Sequence, residues 1–263
     1  MNRMLTLAVV VLVAGPAAAQ DFAKARLRNS SRHGEWVNVK NGSRTVDSFI
    51  VYPEVKNKAT AVVVIHEIFG LTDWARSLAD ELAEAGYIAI APDLLSGMGP
   101  NGGGTKEIGP DNVGRAIRSL PPKQITADLD AVTDYVAKLP ACNGKVVVAG
   151  FCWGGGQTFR FATNNNKVKA AFVFYGPPPP ADAMARINCP VYGFYAGNDA
   201  RIDATIPSAI ERMKDAGKTY KPVTYEGAGH GFMRAGEAPD ANEANKKARD
   251  EAWHRWMEIM KKI

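Results

Sequence analysis

The stretch Val146-Val147-Val148-Ala149-Gly150-Phe151-Cys152-Trp153-Gly154-Gly155-Gly156 constrains this chain more than any other. Three valines and an alanine in a row form a short strand buried on both faces, the pattern of a parallel sheet. The strand runs into Gly-x-Cys-x-Gly and then into helix-compatible sequence over 157–162. That is a nucleophile elbow with sulfur where a serine oxygen usually stands. The bend needs glycine two residues before and two after the nucleophile, because a Cβ at either place would strike the neighbouring strand or helix. Cys152 is expected at the tip, in a strained conformation, above the strand's carboxyl end. The helix that follows turns its free N–H groups toward the sulfur and favours a thiolate. A buried structural cysteine beside a glycine-rich turn is the plainer alternative; strand, glycines and helix in succession argue against it.

Further apolar runs at 60–65, 87–91, 168–175, 190–196 and 220–225 read as strands. Amphipathic segments at 73–86, 125–139, 206–216 and 242–263 read as the helices between and after them. Strands alternating with helices predict an α/β fold, a mostly parallel central sheet with helices on both faces. Segments 35–41 and 46–52 alternate apolar and polar residues around Asn41-Gly42, an antiparallel hairpin at the sheet edge. Asn41-Gly42-Ser43 also fits a glycosylation sequon, but the turn alone explains it. Segment 96–122 is rich in glycine and proline and is expected to be an irregular insertion at a strand's carboxyl end. It is either a lid over a site or a surface loop.

The N-terminus differs from the rest. Arg3 supplies a positive start, 4–14 is almost wholly apolar, and Pro16-Ala17-Ala18-Ala19 offers a cleavage site. An apolar run this short does not span a bilayer. Residues 1–19 are therefore read as a signal peptide, ahead of an uncleaved anchor or a buried first helix. Residues 20–263 are read as a single domain that works in the periplasm or outside the cell, with no membrane attachment after cleavage. The net charge of +5 is spread without a lysine or arginine run, so nucleic acid is not an expected partner. Export changes the meaning of Cys142 and Cys189, each placed at the amino end of a strand away from the elbow. They are either a disulfide or two buried thiols, with one strand expected between them.

Reactive groups in an open α/β sheet gather beyond the carboxyl ends of the strands. The strand at 190–196 is followed by Gly197-Asn198-Asp199, and the last strand by Gly229-His230-Gly231. Nucleophile, acid and histidine come in the order expected after an elbow of this kind. Cys152 would attack a carbonyl with His230 as general base, and Asp199 would orient the imidazole. The backbone N–H groups of Trp153 and Ile68 would form an oxyanion hole. His66-Glu67 lacks the second histidine of a zinc-protease helix, since Gly70 stands in its place, so no metal is expected. His66 reads as structural, and His33 and His254 as surface residues. No phosphate-binding glycine fingerprint is present, and no cofactor is implied.

Several segments together resemble the dienelactone hydrolases, or carboxymethylenebutenolidases, a family of α/β-hydrolases. They are H-E-I-F-G at 66–70, A-P-D-L at 91–94, G-F-C-W-G-G at 150–155, G-N-D at 197–199 and H-G-F-M-R at 230–234. The resemblance implies the triad Cys152, His230 and Asp199, with Glu67 as a further acid–base group that engages the resting thiol. It also implies that Arg234 binds a substrate carboxylate. A second arginine of the family would fall at Gly97, which puts the specific lactone in doubt; Arg115 or Arg118 could replace it. The expected activity is hydrolysis of a small ester or lactone, anionic or neutral, through a thioester, by a monomer or small homo-oligomer. A general carboxylesterase or thioesterase is the alternative within the fold. A thiol oxidoreductase lacks its second cysteine, and a non-catalytic relative would be expected to have lost a triad member.

Overall fold

The computed structural model describes residues 18–263, so the expected signal segment lies outside it except for its last two residues, which open helix α1 (Ala18–Asn29). Strands β1 (Gly34–Asn41) and β2 (Arg44–Val51) form the hairpin, with Gly42 in the turn at φ +59°. Next come β3 (Ala59–Ile65), α2 (Asp73–Glu84), β4 (Ile88–Pro92), α3 (Thr105–Ile108), α4 (Pro110–Ser119) and α5 (Pro122–Ala137). The elbow joins β5 (Cys142–Phe151) to α6 (Trp153–Ala162). The chain continues through β6 (Ala171–Phe174), α7 (Ala181–Met184), β7 (Val191–Ala196), α8 (Ala200–Asp203) and α9 (Ile206–Asp215). It closes with β8 (Tyr220–Tyr225), α10 (Phe232–Ala235) and α11 (Glu243–Met260).

The strands line up as β1-β2-β4-β3-β5-β6-β7-β8, antiparallel at the β1–β2–β4 end and parallel from β4 to β8. The middle of the sheet is apolar at successive positions, 61–65 in β3, 146–149 in β5 and 171–174 in β6, because both faces are covered. Ala61, Val63 and Ile65 of β3 and Val146 and Val148 of β5 face Leu129, Val132 and Val136 of α5. Val62, Val64, Val147 and Ala149 face Trp74, Leu78 and Leu82 of α2 and Trp256 of α11. The carboxyl ends of β3, β5, β7 and β8 open on the same edge of the sheet, and the polar residues of the sequence motifs follow them directly.

One open alternative closes against the disulfide, and one expectation needs correction. Cys142 and Cys189 are both free and buried, not a disulfide. The register Val148↔Ala171↔Val191 puts β6 between their strands, and Cys142 lies much farther below that row than Cys189. Two strand spacings alone come to about 10 Å, beyond the roughly 7 Å that a disulfide's Cα atoms can span. Segment 96–122 is largely helical, not irregular: a 3₁₀ turn at Pro100–Gly102 leads into α3 and α4, and Val113 and Ile117 of α4 are buried. Its glycines and prolines mark boundaries. Gly104 and Gly109 precede α3 and α4, and Pro110 and Pro122 open α4 and α5, where a missing N–H costs nothing.

Candidate active site

Cys152 sits between β5 and α6 with φ +57° and ψ −117°, a conformation that costs a non-glycine residue about 1–3 kcal/mol. Its N–H donates to Phe174 O of β6 at 3.0 Å, which anchors the strained residue. The flanking glycines are required by close approach. A Cβ on Gly150 would run into Gly154 O and Thr158 Oγ1 of α6. A Cβ on Gly154 would run into Ile65 O and His66 O at the end of β3. Cys152 therefore stands where β3, β5 and α6 meet, partly buried.

The loops after β7 and β8 are stitched together by backbone and amide contacts. Gly197 N–H donates to Tyr225 O at 2.8 Å, Asn198 N–H to Ala228 O at 2.9 Å, and Asn198 Nδ2 to Gly227 O at 2.9 Å. Asn245 of α11 accepts from Gly229 N–H at 2.9 Å and braces the histidine loop from outside. These bonds carry Asp199, which is buried, against His230 Nδ1. Cys152 stands on the imidazole's other side, close enough to favour its charged form. Burial alone would push the imidazole down, but the bonds and charges of Cys152 and Asp199 outweigh it and raise its pKa to about 9. The structure thus joins residues 199 and 230 directly and brings Cys152 within reach of the same imidazole.

Glu67 follows β3 and is buried, and its Oε2 accepts from Arg234 Nε at 2.7 Å. Arg234 lies on α10, which starts directly after His230 because Gly231 takes φ +81°. The guanidinium also covers the Phe69 ring, 5.1 Å from its centroid. Burial works against its charge, and the neighbouring Glu67 more than offsets that. The glutamate therefore pairs with the arginine, whereas the resemblance implies that it engages the resting thiol.

Tyr175 is a site residue that sequence reasoning missed. It lies one position beyond β6, fully buried, at φ +40°, with its ring edge-on to His230 at 5.1 Å. Its hydroxyl has no partner among the described residues, and burial with the nearby Glu67 charge keeps it a phenol. The only signal in the sequence was an aromatic residue between a strand and Gly176-Pro177.

Trp153 is the first residue of α6, where an N–H has no intrahelical acceptor. Ile68 lies in the turn after β3 that Gly70 N–H closes onto Glu67 O at 3.1 Å. The two amides belong to segments already in backbone contact through Gly154. Gly114 of α4 abuts Ile68, and Arg118 Nη1 folds back onto Gly114 O at 3.2 Å, which places that exposed arginine near the same turn. Gly97 takes φ +77°, so any side chain there would be strained. The nearest guanidinium to that position, Arg44, is committed to Asp128 at 2.9 Å and to Leu94 O at 3.0 Å.

Comparison with known proteins bears on this arrangement. The model of the dienelactone hydrolase family matches residues 46–263. A protein of Saccharolobus solfataricus assigned as a carboxymethylenebutenolidase is 31% identical over 252 residues, covering 83% of this chain and 94% of its own. One of Salmonella typhi with the same assignment is 32% identical over 209 residues, 75% of each chain. The crystal structure of a protein of Klebsiella pneumoniae assigned as a dienelactone hydrolase superposes with a TM-score of 0.78 at 25% identity, covering 89% of this chain and 100% of that one.

Proposed function

This chain belongs to the dienelactone hydrolase family, with the α/β-hydrolase fold and a hydrolase's action on ester bonds, and from that premise we propose that Cys152 is its nucleophile. The observation that carries the proposal is the strained Cys152 at the elbow beside an imidazole that Asp199 holds at Nδ1. Cys152 Sγ forms a bond to the substrate's carbonyl carbon while the π pair moves onto oxygen. The N–H groups of Ile68 and Trp153 hold that oxyanion. His230 holds the proton that the thiol gave up and delivers it to the leaving oxygen as the C–O bond breaks. Water then attacks the thioester with His230 as base, which frees the sulfur. Asp199 steadies the imidazolium throughout.

The substrate class follows from the charges beside the sulfur. Arg234 offers a guanidinium to a substrate carboxylate, which would displace Glu67 from it. A freed Glu67 carboxylate is then available to exchange a proton with the thiol. The assignment of the relatives supports a small lactone over a general carboxylesterase substrate. With Gly97 in place of a second arginine, Arg118, which α4 holds beside the Ile68 turn, is the candidate replacement. The charged start, apolar run and small residues at 1–19 support export, with the enzyme acting in the periplasm or outside the cell.

The test is Cys152→Ala with an activated ester or lactone. Hydrolysis should fall by about 10³-fold or more with an unchanged circular dichroism spectrum, and iodoacetamide should label Cys152 in the native enzyme. Near-native turnover in that variant would end the cysteine reading.

A further inference from the structure

His66 is fully buried, and the reaction described above gives it no proton to move. Its Nδ1 lies 2.9 Å from Glu67 O. A carbonyl oxygen only accepts, so Nδ1 must carry the hydrogen. Nε2 has no partner among the described residues, and burial keeps the ring neutral against the opposing pull of Asp93. The same Glu67 oxygen accepts from Gly70 N–H at 3.1 Å. Two donors therefore hold one carbonyl.

That carbonyl and the Ile68 N–H belong to a single planar trans peptide, so they point in opposite directions. Holding the oxygen on one side sets the direction of the N–H on the other. A flip of this peptide would break both bonds and put an oxygen where the oxyanion needs a donor. The His66 ring also stacks on Trp153, the other oxyanion residue, with centroids 5.5 Å apart and planes 14° apart. The far end of the turn is tied down separately. Leu71 N–H donates to Thr105 Oγ1 at 3.0 Å, and Thr105 donates to Asp93 through Oγ1 and N–H, each at 2.7 Å. The helical insertion thereby buttresses one end of the turn and His66 the other.

We propose that His66 is a positioning residue that locks the Glu67–Ile68 peptide with its N–H turned to the oxyanion. The inference rests on the thioester reading, and the experiment separates the two. His66→Phe keeps a ring on Trp153 and removes the donor; His66→Gln keeps a donor and removes the ring. Three rates or affinities are measured: ester turnover, inhibition by a trifluoromethyl ketone, and alkylation by iodoacetamide. The ketone takes Sγ at its carbonyl carbon, with the π pair going to oxygen and the thiol proton to His230, so it needs the oxyanion donors. Alkylation needs only the sulfur and His230.

Losing a donor outright costs roughly 10²–10³ in kcat. Loosening one in His66→Phe should lower kcat about 10- to 100-fold with KM changed by less than about twofold. Ketone affinity should fall by a similar factor while alkylation keeps its wild-type rate, and His66→Gln should recover most of kcat. Wild-type kcat and ketone affinity in His66→Phe would overturn the inference. So would an equal slowing of alkylation, which would mean that the triad had moved, or a His66→Gln no better than His66→Phe. Cys152→Ala run alongside reports on the parent reading: if it retains hydrolysis, the thioester mechanism falls and this inference with it.

Discussion

Arg234 Nε donates to Glu67 Oε2 at 2.7 Å, joining residues 167 positions apart in the chain. The pair is largely buried, with side chains 19% and 4% exposed, so neither charge is well served by water alone. A substrate carboxylate entering the site would compete with Glu67 for the guanidinium. A hydrogen bond to a charged group is worth about 1.5–3 kcal/mol. Arg234→Ala should therefore raise KM for a carboxylate-bearing lactone or ester about 10- to 100-fold and leave KM for a neutral ester within about threefold. Steady-state kinetics on a matched pair of substrates measures this. An equal change for both substrates would remove Arg234 as the carboxylate-selecting group.

Gly150 has no room for a side chain, since a Cβ there meets Gly154 O and Thr158 Oγ1. One of the obstacles is backbone, which cannot swing aside as a long side chain can. Gly150→Ala should destabilise the protein by about 3 kcal/mol or more, lowering Tm by roughly 6–12 °C in a chain of this size. It should also move Cys152 relative to His230 and slow its alkylation. A variant that melts and reacts like wild type would show that the elbow relaxes in a way its packing does not suggest.

The His230 pKa of about 9 makes a statement about stability as well as chemistry. An unfolded histidine titrates near 6.5, so the folded state holds its proton more tightly than the unfolded one. The stabilisation is therefore fully present below about pH 6.5 and is lost as pH rises through about 9. Denaturant melts of wild type and His230→Asn at pH 6 and pH 9.5 isolate the contribution, because every other group is common to both proteins. The stability difference between them should shrink at the higher pH. Parallel pH profiles would rule out a histidine held charged by Cys152 and Asp199.

Local sequence determined a good deal of this protein. A run of valines names a strand buried on both faces, and glycines spaced around Cys152 name the bend, because each of these follows from contacts within a few residues. The order of cysteine, aspartate and histidine after successive strands follows too, since parallel strands deliver their carboxyl ends to one edge of a sheet. The glycine- and proline-rich stretch before α5 misled for a physical reason: the same residues that break a helix also begin and end one, and only the buried positions of Val113 and Ile117 distinguish the cases. What the tertiary structure alone decided are relationships across strands. The register of β5, β6 and β7 leaves Cys142 and Cys189 too far apart to bond, and only the meeting of the β3, β6 and β8 ends sets Tyr175 and Arg234 beside Glu67. Those outcomes depend on strand order and register, which arise from the packing of the whole sheet and leave no mark on any single stretch of residues.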